Sequence, residues 1–283
     1  MASLLSLRRR IKTAQNVSKT TKAMQMIAAS KLKKAQDAAL SSRPYVEKLT
    51  SVSSGISNKV DNDDLNDYMR ALSNTNEKLV LIISPDKGLC GGLNTNLARE
   101  LLNFSKENKN LSYITIGKKA IGIARLVDGE IIASFDFGIT LPSYDAIYPV
   151  MNLIDEYYLG KKVSNVYVLN SNFNSFFSQT PIVKKLLPVK FDSDEKKTGE
   201  TLFEPNAKEL LPGLIQHYLE MSIYQSFLES YLSEQAARML AMQNATDNAK
   251  DIIEDLRLIY NKTRQEKITN EILDISGGFF AYA

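Results

Sequence analysis

The sequence predicts an α/β fold in which a mostly parallel sheet domain lies between two long terminal helices that pair as an antiparallel coiled coil. The distribution of helix-breaking residues is the first observation. All eight prolines and eleven of the thirteen glycines fall between Pro44 and Gly213. The two ends can therefore remain helical, while the middle is rich in turns. The second observation is that strand and helix patterns alternate in that middle, as in parallel sheets covered by helices.

The C-terminal segment carries the longest predicted helix. Leu214–Ser276 contains neither glycine nor proline over 63 residues. At about 1.5 Å per residue, one continuous helix would be roughly 95 Å long. Ordinary helices have about 12 residues, so this one must lie along another long helix or inside another protein. Upstream, Asn206 and Glu209 predict a capping-box start, and Pro212 predicts a bend before the uninterrupted run.

The N-terminal segment predicts the second long helix. Its first apolar residues follow the 3-4-3 spacing of a helical seam, namely Leu4, Leu7, Ile11 and Ala14. Polar residues then occupy the positions where further seam residues are expected, namely Ser18, Thr21 and Gln25. Pro44 predicts a kink, because proline lacks the N–H that the preceding turn requires. The polar stretch Asp61–Asp67 predicts the end of this arm.

The middle of the chain predicts a Rossmann-like sheet domain. The predicted strands are Lys78–Ser84, Ser112–Gly117, Glu130–Phe135, Val163–Leu169 and Pro181–Val189. The predicted helices between them are Leu93–Lys106, Lys118–Val127 and Ser143–Leu159. A charged loop, Asp192–Gly199, leads to the last helix. The chain thus divides into an N-terminal coiled-coil helix (residues 1–60), an α/β globular domain (75–195) and a C-terminal coiled-coil helix (206–283).

Charge and cysteine content exclude several classes of protein. The net charge of +3 does not indicate a nucleic-acid binder, although residues 1–36 contain nine lysines and arginines and no acidic residue. Cys90 is the only cysteine, which excludes an internal disulfide and is typical of a reducing compartment. No apolar run approaches the roughly 20 residues of a membrane-spanning helix. The basic, acid-poor start leaves a transit peptide as an alternative interpretation.

The loop Ser84–Asn94 lies between a predicted strand and a predicted helix, where phosphate-binding loops occur. It matches neither G-x-x-x-x-G-K-[ST] nor G-x-G-x-x-G, so a tight structural turn is predicted here in preference to a nucleotide site. Cys90 could pair only with His217, the single histidine, which falls early in the long helix. No cluster of cysteine and histidine suggests a metal site. The sequence therefore predicts no catalytic, cofactor-binding or metal-binding residues.

The C-terminal tip is uncharged. After Asp274 the chain reads Ile-Ser-Gly-Gly-Phe-Phe-Ala-Tyr-Ala. An exposed apolar tip is a liability in solution but is suitable if a partner encloses it. The alternative interpretation is an ordinary amphipathic helix end.

Four regions in order resemble the gamma subunit of the rotary F-type ATP synthase, along nearly the whole chain. The first is the N-terminal helix pattern Arg10–Lys31, and the second is Asp86–Asn94, which matches D-[RK]-G-L-C-G-G-L-N. The third lies in the long C-terminal helix, at Ser233–Met242 and Ala245–Ala249. The fourth, Arg264–Ile272, matches R-Q-x-x-I-T-x-E-[IL].

The resemblance implies a non-catalytic rotor in the central stalk of a proton-translocating ATP synthase. Its coiled coil would penetrate the ring of alpha and beta subunits. Its globular foot would sit on the membrane c-ring and meet the epsilon subunit, and it would bind no cofactor and no nucleic acid. The chain would be peripheral, on the cytoplasmic face of a bacterial inner membrane or on the matrix face of a mitochondrion. The transit-peptide interpretation loses support, because the family's mature helix starts with this pattern.

The resemblance also implies contact residues, by position in the family's motifs. Four residues near the tip would contact catch loops of the surrounding subunits, namely Arg264, Gln265, Thr269 and Glu271. Lys22 and Met24 would face the acidic lever of a catalytic subunit. Arg238 would lie in the contact region of the shaft, and Glu204 near the foot. Here the chain ends in bulky aromatic residues where the family usually has small ones, which leaves the detailed fit of the tip open.

Two other functions remain as alternatives. A coiled-coil nucleic-acid adaptor would use the basic N-terminal helix and bind in a salt-sensitive manner. Residues 1–36 of this chain, however, lack the interleaved aromatic residues that would stack on bases. An α/β enzyme would use the Gly88–Gly92 loop and bind nucleotide as the isolated chain.

Overall fold

The computed structural model describes residues 3–57, 66–71, 75–136, 138, 140–191, 204 and 206–281, with side chains described as far as residue 273. The helices are α1 (Leu4–Ser57), α2 (Leu93–Glu107), α3 (Lys118–Ala124), α4 (Tyr148–Tyr158) and α5 (Ala207–Ala281). The strands are β1 (Lys78–Ile83), β2 (Leu111–Ile116), β3 (Gly129–Phe135), β4 (Asn165–Phe173) and β5 (Gln179–Leu187). Short 3-10 turns occupy Asp67–Met69 and Tyr144–Ile147.

The five described strands form one sheet in the order β3-β2-β1-β4-β5. Parallel pairing joins β3, β2, β1 and β4, with Lys78 opposite both Leu111 and Asn165, and only β5 is antiparallel. The crossovers from β1 to β2 and from β2 to β3 contain α2 and α3, as parallel neighbours require. The predicted fold class is confirmed.

The core of the sheet domain follows from the strand sequences. The central strand β1 is buried along nearly its whole length, as expected for a parallel strand covered on both faces. Val80 and Ile82 pack with Leu97 and Leu101 of α2, whose spacing of four residues places both leucines on one helical face. The intervening Leu79, Leu81 and Ile83 lie on the opposite face and are fully buried. Strand β1 is therefore covered on both faces of the sheet.

The chain divides into two compact units, residues 1–28 with 239–283, and residues 29–238. Each long helix contributes to both units, so these units cut across the three segments predicted from the sequence. The bounds of those segments stay a prediction.

The first unit contains the terminal helix pair, which is the part of α1 before residue 29 and the part of α5 after residue 238. The Arg8 Nε donates to the Tyr260 hydroxyl at 2.8 Å, and the Thr21 and Thr246 hydroxyls lie 2.7 Å apart. Positions along α1 rise while their partners in α5 fall, so the two helices are antiparallel, as predicted. Thr21 is one of the polar residues noted in the predicted seam, and a hydroxyl pair explains its presence there.

In the second unit the two long helices also run antiparallel. The Tyr45 hydroxyl lies 2.8 Å from the His217 Nε2, and the Arg43 Nε lies 3.4 Å from the Glu229 Oε1. Helix α1 continues through Pro44 and ends at Ser57, because tertiary packing outweighs the one backbone hydrogen bond that proline removes. The predicted terminator Asp61–Asp67 falls largely outside the described residues, as does the charged loop Asp192–Gly199.

Helix α5 starts as its sequence predicts. Asn206 precedes its first residue, and the Asn206 Oδ1 accepts the Glu209 N–H at 2.8 Å. The Glu209 carboxylate in turn accepts from the Asn206 side-chain amide, which completes a variant of the capping box. The helix then continues through Pro212 into the uninterrupted run, with Leu211 and Ile215 buried on either side of the proline.

Candidate functional site

The loop between β1 and α2 binds the neighbouring loops at the carboxyl edge of the sheet. The Asp86 Oδ1 accepts the Lys118 N–H at 2.9 Å, and its Oδ2 accepts the Gly138 N–H at 2.8 Å. The Lys119 N–H donates to the Pro85 carbonyl at 3.2 Å. One carboxylate thus joins the loops that follow β1, β2 and β3.

The same loop leaves no room for a phosphate on the β2–α3 turn. A Cβ placed on Gly117 would lie 1.9 Å from the Ser84 carbonyl oxygen, so the two backbones are in direct contact. The Asp86 carboxylate occupies the first N–H of α3, the kind of group that would face a phosphate in a nucleotide-binding loop. These contacts agree with the prediction of a structural turn.

The other side of the loop is bound to α5 by Arg238. Its Nη1 lies 2.6 Å from the Glu234 Oε1, one turn earlier on the helix. Its Nη2 donates to the carbonyls of Lys87 and Gly88 at 3.2 and 3.3 Å. Arg238 and Glu234 are both largely buried, with 16% and 8% of their side chains exposed. The guanidinium therefore connects a helical carboxylate to two loop carbonyls.

Burial governs the titration of the groups at this junction. It raises the pKa of Glu234, and the adjacent Arg238 opposes that shift. It also raises the pKa of the Cys90 thiol, which packs with Leu93 and Ala237. A thiol of raised pKa that contacts apolar groups is a packing residue and not a nucleophile.

The single histidine has its own partners. The His217 Nε2 lies 2.8 Å from the Tyr45 hydroxyl, and its Nδ1 lies 3.7 Å from the Glu220 carboxylate. The Tyr144 hydroxyl donates to the same Glu220 at 2.7 Å. His217 of α5 therefore contacts Tyr45 of α1 and lies near Glu220 of its own helix.

The described residues contain no group of three or more His, Cys, Asp or Glu side chains that could hold a metal ion. Nor does any helix among them have the length and apolar character needed to cross a membrane.

The predicted contact residues near the C-terminus lie on a fully exposed stretch of α5. Every residue from Arg264 to Leu273 is exposed, including three apolar ones. Ile268, Ile272 and Leu273 expose 47%, 60% and 59% of their surface. Among the polar residues, Glu271 pairs with Lys267 at 3.6 Å and Thr269 bonds the Gln265 carbonyl. These described bonds of Glu271 and Thr269 are contacts within one helix.

The remaining predicted residues differ in their surroundings. Lys22 and Met24 are exposed on α1, and the Lys22 Nζ donates to Gln25 at 3.1 Å. Glu204 is exposed, just before α5. Arg238 differs from all the others, since it is largely buried and its described bonds reach the loop before α2 as well as its own helix. Sequence reasoning overlooked Glu234, although its position four residues before Arg238 is the favourable order for a helical ion pair.

Comparisons with known proteins agree on one family. A protein-family model described as ATP synthase matches residues 3–282. The ATP synthase gamma chain of Dehalococcoides mccartyi is 38% identical over 285 residues and covers 100% of both chains. That of Histophilus somni is 40% identical over 98% of this chain and 99% of the relative.

Solved structures share the fold. A chain of the Euglena gracilis mitochondrial ATP synthase structure with OSCP, F1 and c-ring has a TM-score of 0.70 at 19% identity, covering 98% of this chain and 94% of that one. A chain of the Tetrahymena thermophila central stalk and c-ring structure has a TM-score of 0.58 at 24% identity, covering 80% and 99%. Together with the full-length relatives, these matches confirm the resemblance found in the sequence. The chain belongs to the family of ATP synthase gamma chains.

Proposed function

We propose that this chain is the central-stalk rotor of a proton-translocating ATP synthase, coupling rotation of the membrane c-ring to conformational cycling of the catalytic subunits. The chain belongs to the gamma-chain family, and the structural observation that carries the proposal is the exposed stretch Arg264–Leu273. Isoleucine and leucine side chains that are solvent-exposed in the last part of a long helix favour an enclosing partner.

The helix pair supplies the asymmetry that such a rotor needs. A ring of similar subunits around two unlike helices meets a different surface at each position. A conformational equilibrium shifts only through differential contact energy, and unlike helical surfaces provide that difference. The chain itself would bind no nucleotide and catalyse no reaction.

The partners follow from this role. Arg264, Gln265, Thr269 and Glu271 would contact alpha and beta subunits near the tip, and their exposure permits it. Lys22 and Met24 would face an acidic segment of a catalytic subunit. Arg238 would lie in the contact region of the shaft. Glu204 would lie near the foot, where the epsilon subunit and the c-ring are expected.

The location follows from the same role. A rotor bound to the c-ring would be peripheral on the cytoplasmic face of a bacterial inner membrane, or on the matrix face if the chain is organellar. The nucleic-acid adaptor has no support from the comparisons, which return ATP synthase chains.

The first experiment isolates the tagged chain from its own cells in mild detergent. Co-purification with three alpha and three beta subunits and with ATP hydrolysis is the expected result. A lone chain, or one that carries nucleic acid, would contradict the proposal.

The second experiment tests the contact residues by charge reversal. Arg264→Glu and Glu271→Lys should each lower proton-driven ATP synthesis in membrane vesicles by about tenfold or more, since a broken interfacial charge contact costs at least about 1.4 kcal/mol. Lys250→Glu is the matched control, because it reverses an exposed charge on the same helix outside the predicted contacts. Unchanged synthesis in both test variants would remove these contact assignments.

A further inference from the structure

We propose that Arg238 is a positioning residue that locks the sheet domain to α5, so that the loop 85–92 transmits torque between the sheet and the long helix. The inference rests on the proposed rotor function, and it assigns Arg238 an internal role in place of a contact with another subunit.

The sheet end of this connection is fixed by Asp86. Its two carboxylate oxygens accept N–H groups from the loops that follow β2 and β3, at 2.9 and 2.8 Å. The loop itself continues from the buried strand β1. A force on the loop is therefore shared by three neighbouring strands rather than by one.

The loop is also packed too closely to slide. Gly117 and Ser84 are in backbone contact, and Leu89 and Gly91 hold left-handed backbone conformations with φ of 63° and 58°. Between them, Cys90 is buried against Ala237 of α5. The backbone is thus fixed on both sides of the carbonyls that Arg238 binds.

The helix end of the connection depends on the shape of arginine. A planar guanidinium with five donors can bind the Glu234 carboxylate and two loop carbonyls at once. Lysine carries the same charge but lacks the planar, forked arrangement of N–H donors. Glu234 holds the guanidinium in place, and its own burial is tolerable only while Arg238 neutralises it.

The position of the lock along the chain fits torque transmission. Arg238 is the last residue of the second compact unit. Helix α5 continues without interruption from Ala207 to Ala281, so a turn imposed on the helix at Arg238 passes directly into its C-terminal part.

The test measures torsional stiffness in the assembled complex. The catalytic ring is immobilised and stalled with a non-hydrolysable nucleotide. A probe is attached to the exposed site Lys109→Cys of the sheet domain, where the buried Cys90 does not compete. Arg238→Gln should increase the angular variance of the probe by less than about twofold, because other contacts between α5 and the sheet domain remain, among them the Ser233 hydroxyl on the Ser171 carbonyl and the Tyr144 hydroxyl on Glu220. Glu234→Gln should give an intermediate increase, and Arg238→Lys should not restore the wild-type variance.

Lys162→Ala is the matched control, because it breaks an exposed ion pair with Glu156 that does not involve α5. Its variance should equal that of the wild type. An increase for Arg238→Gln with no change for Glu234→Gln would overturn the lock and favour a contact with another subunit. An angular variance equal to that of the wild type in both Arg238→Gln and Glu234→Gln would also overturn the proposed lock. Absence of ATP-driven rotation in the wild-type complex, measured with the same probe before the ring is stalled, would instead contradict the rotor function itself. If Arg238→Gln does not assemble, the Glu234→Gln and Arg238→Lys comparisons still decide.

Discussion

Gly117→Ala should strongly destabilise the sheet domain, whereas Gly122→Ala, five residues later, should stabilise it. Gly117 has φ of 89°, and a Cβ there would lie 1.9 Å from the Ser84 carbonyl oxygen and 2.9 Å from its carbon. Both are backbone atoms, which cannot rotate away as a side chain could. Gly122 is inside α3, with nothing within 4 Å of its Cβ position. The two substitutions are chemically identical and differ only in their surroundings.

The magnitude follows from two contributions. A non-glycine residue held in this backbone region costs roughly 1–3 kcal/mol. Relief of the clash moves the loop and weakens hydrogen bonds of Asp86 and Arg238, at about 1 kcal/mol for each bond lost. The sum is about 3–5 kcal/mol, a large part of the roughly 5–15 kcal/mol that stabilises a typical domain. Gly122→Ala should instead add about 0.5–1 kcal/mol, because alanine is the better helix former.

Tyrosine near-UV circular dichroism during urea unfolding of the full chain is the assay. The chain has no tryptophan, and eleven of its thirteen tyrosines lie within residues 29–238, so the signal reports mainly on the second unit. A Gly117→Ala variant as stable as wild type would refute the close approach of the two loops. A loss of stability in Gly122→Ala would refute the description of α3 as open at that position.

Two further predictions concern buried hydroxyls. Burial raises the pKa of Tyr113 to about 12 from 10.0, so the unfolded chain loses this proton first and stability falls between about pH 10 and 12, by up to roughly 2.7 kcal/mol. The free energy of unfolding, measured with urea at pH 8 and at pH 11, should therefore fall less in Tyr113→Phe than in the wild type. An equal fall in the two proteins would contradict the prediction. In the terminal helix pair, Thr21→Val and Thr246→Val should show a coupling of about 0.5–1 kcal/mol in a double-mutant cycle on thermal unfolding, which strict additivity would disprove.

The sequence predicts the elements well wherever one physical signal dominates. Lys78–Ile83 is apolar and β-branched between polar ends, so β1 was assigned within one residue. The absence of breakers after Leu214 indicated the long helix. The start at Asn206 was predicted from its cap, and the Oδ1 bond to Glu209 confirms it.

Element ends were less accurate where tertiary contacts decide them. Strand β4 continues four residues beyond the predicted Leu169, since pairing with β5 extends over Asn170–Phe173. The predicted helix Ser143–Leu159 begins as a 3-10 turn and becomes α-helical only at Tyr148. The extension of β4 has no signal in local propensity, because it depends on pairing with β5, whereas Pro149 in the first turn of α4 is a local signal for the later start of that helix.

The parts of the candidate site also differ in how far the sequence predicts them. The motifs indicated the family, and comparison confirms it. The contact roles of Arg264, Gln265, Thr269 and Glu271 stay predictions. The Glu234–Arg238 pair has a local signal in its spacing of four residues, but the bonds of Arg238 to Lys87 and Gly88 were not predictable, since they reach backbone carbonyls about 150 positions away, which carry no sequence signature.

The distribution of directional contacts within the chain supports a rotor. In the terminal helix pair the hydroxyl bond of Thr21 with Thr246 lies between the helices, and Arg8 binds Tyr260. Outward, the stretch from Arg264 to Leu273 exposes seven polar and three apolar side chains, and the described bonds of Thr269 and Glu271 are within the helix. A strong bond to a surrounding ring would favour one angle, and each 1.4 kcal/mol of such preference would slow escape from it about tenfold. Apolar burial has no directional preference and varies little as the surface turns. The apolar part of that surface can therefore be held by a ring at any angle, whereas the polar contacts predicted for Arg264 and Glu271 would favour particular angles.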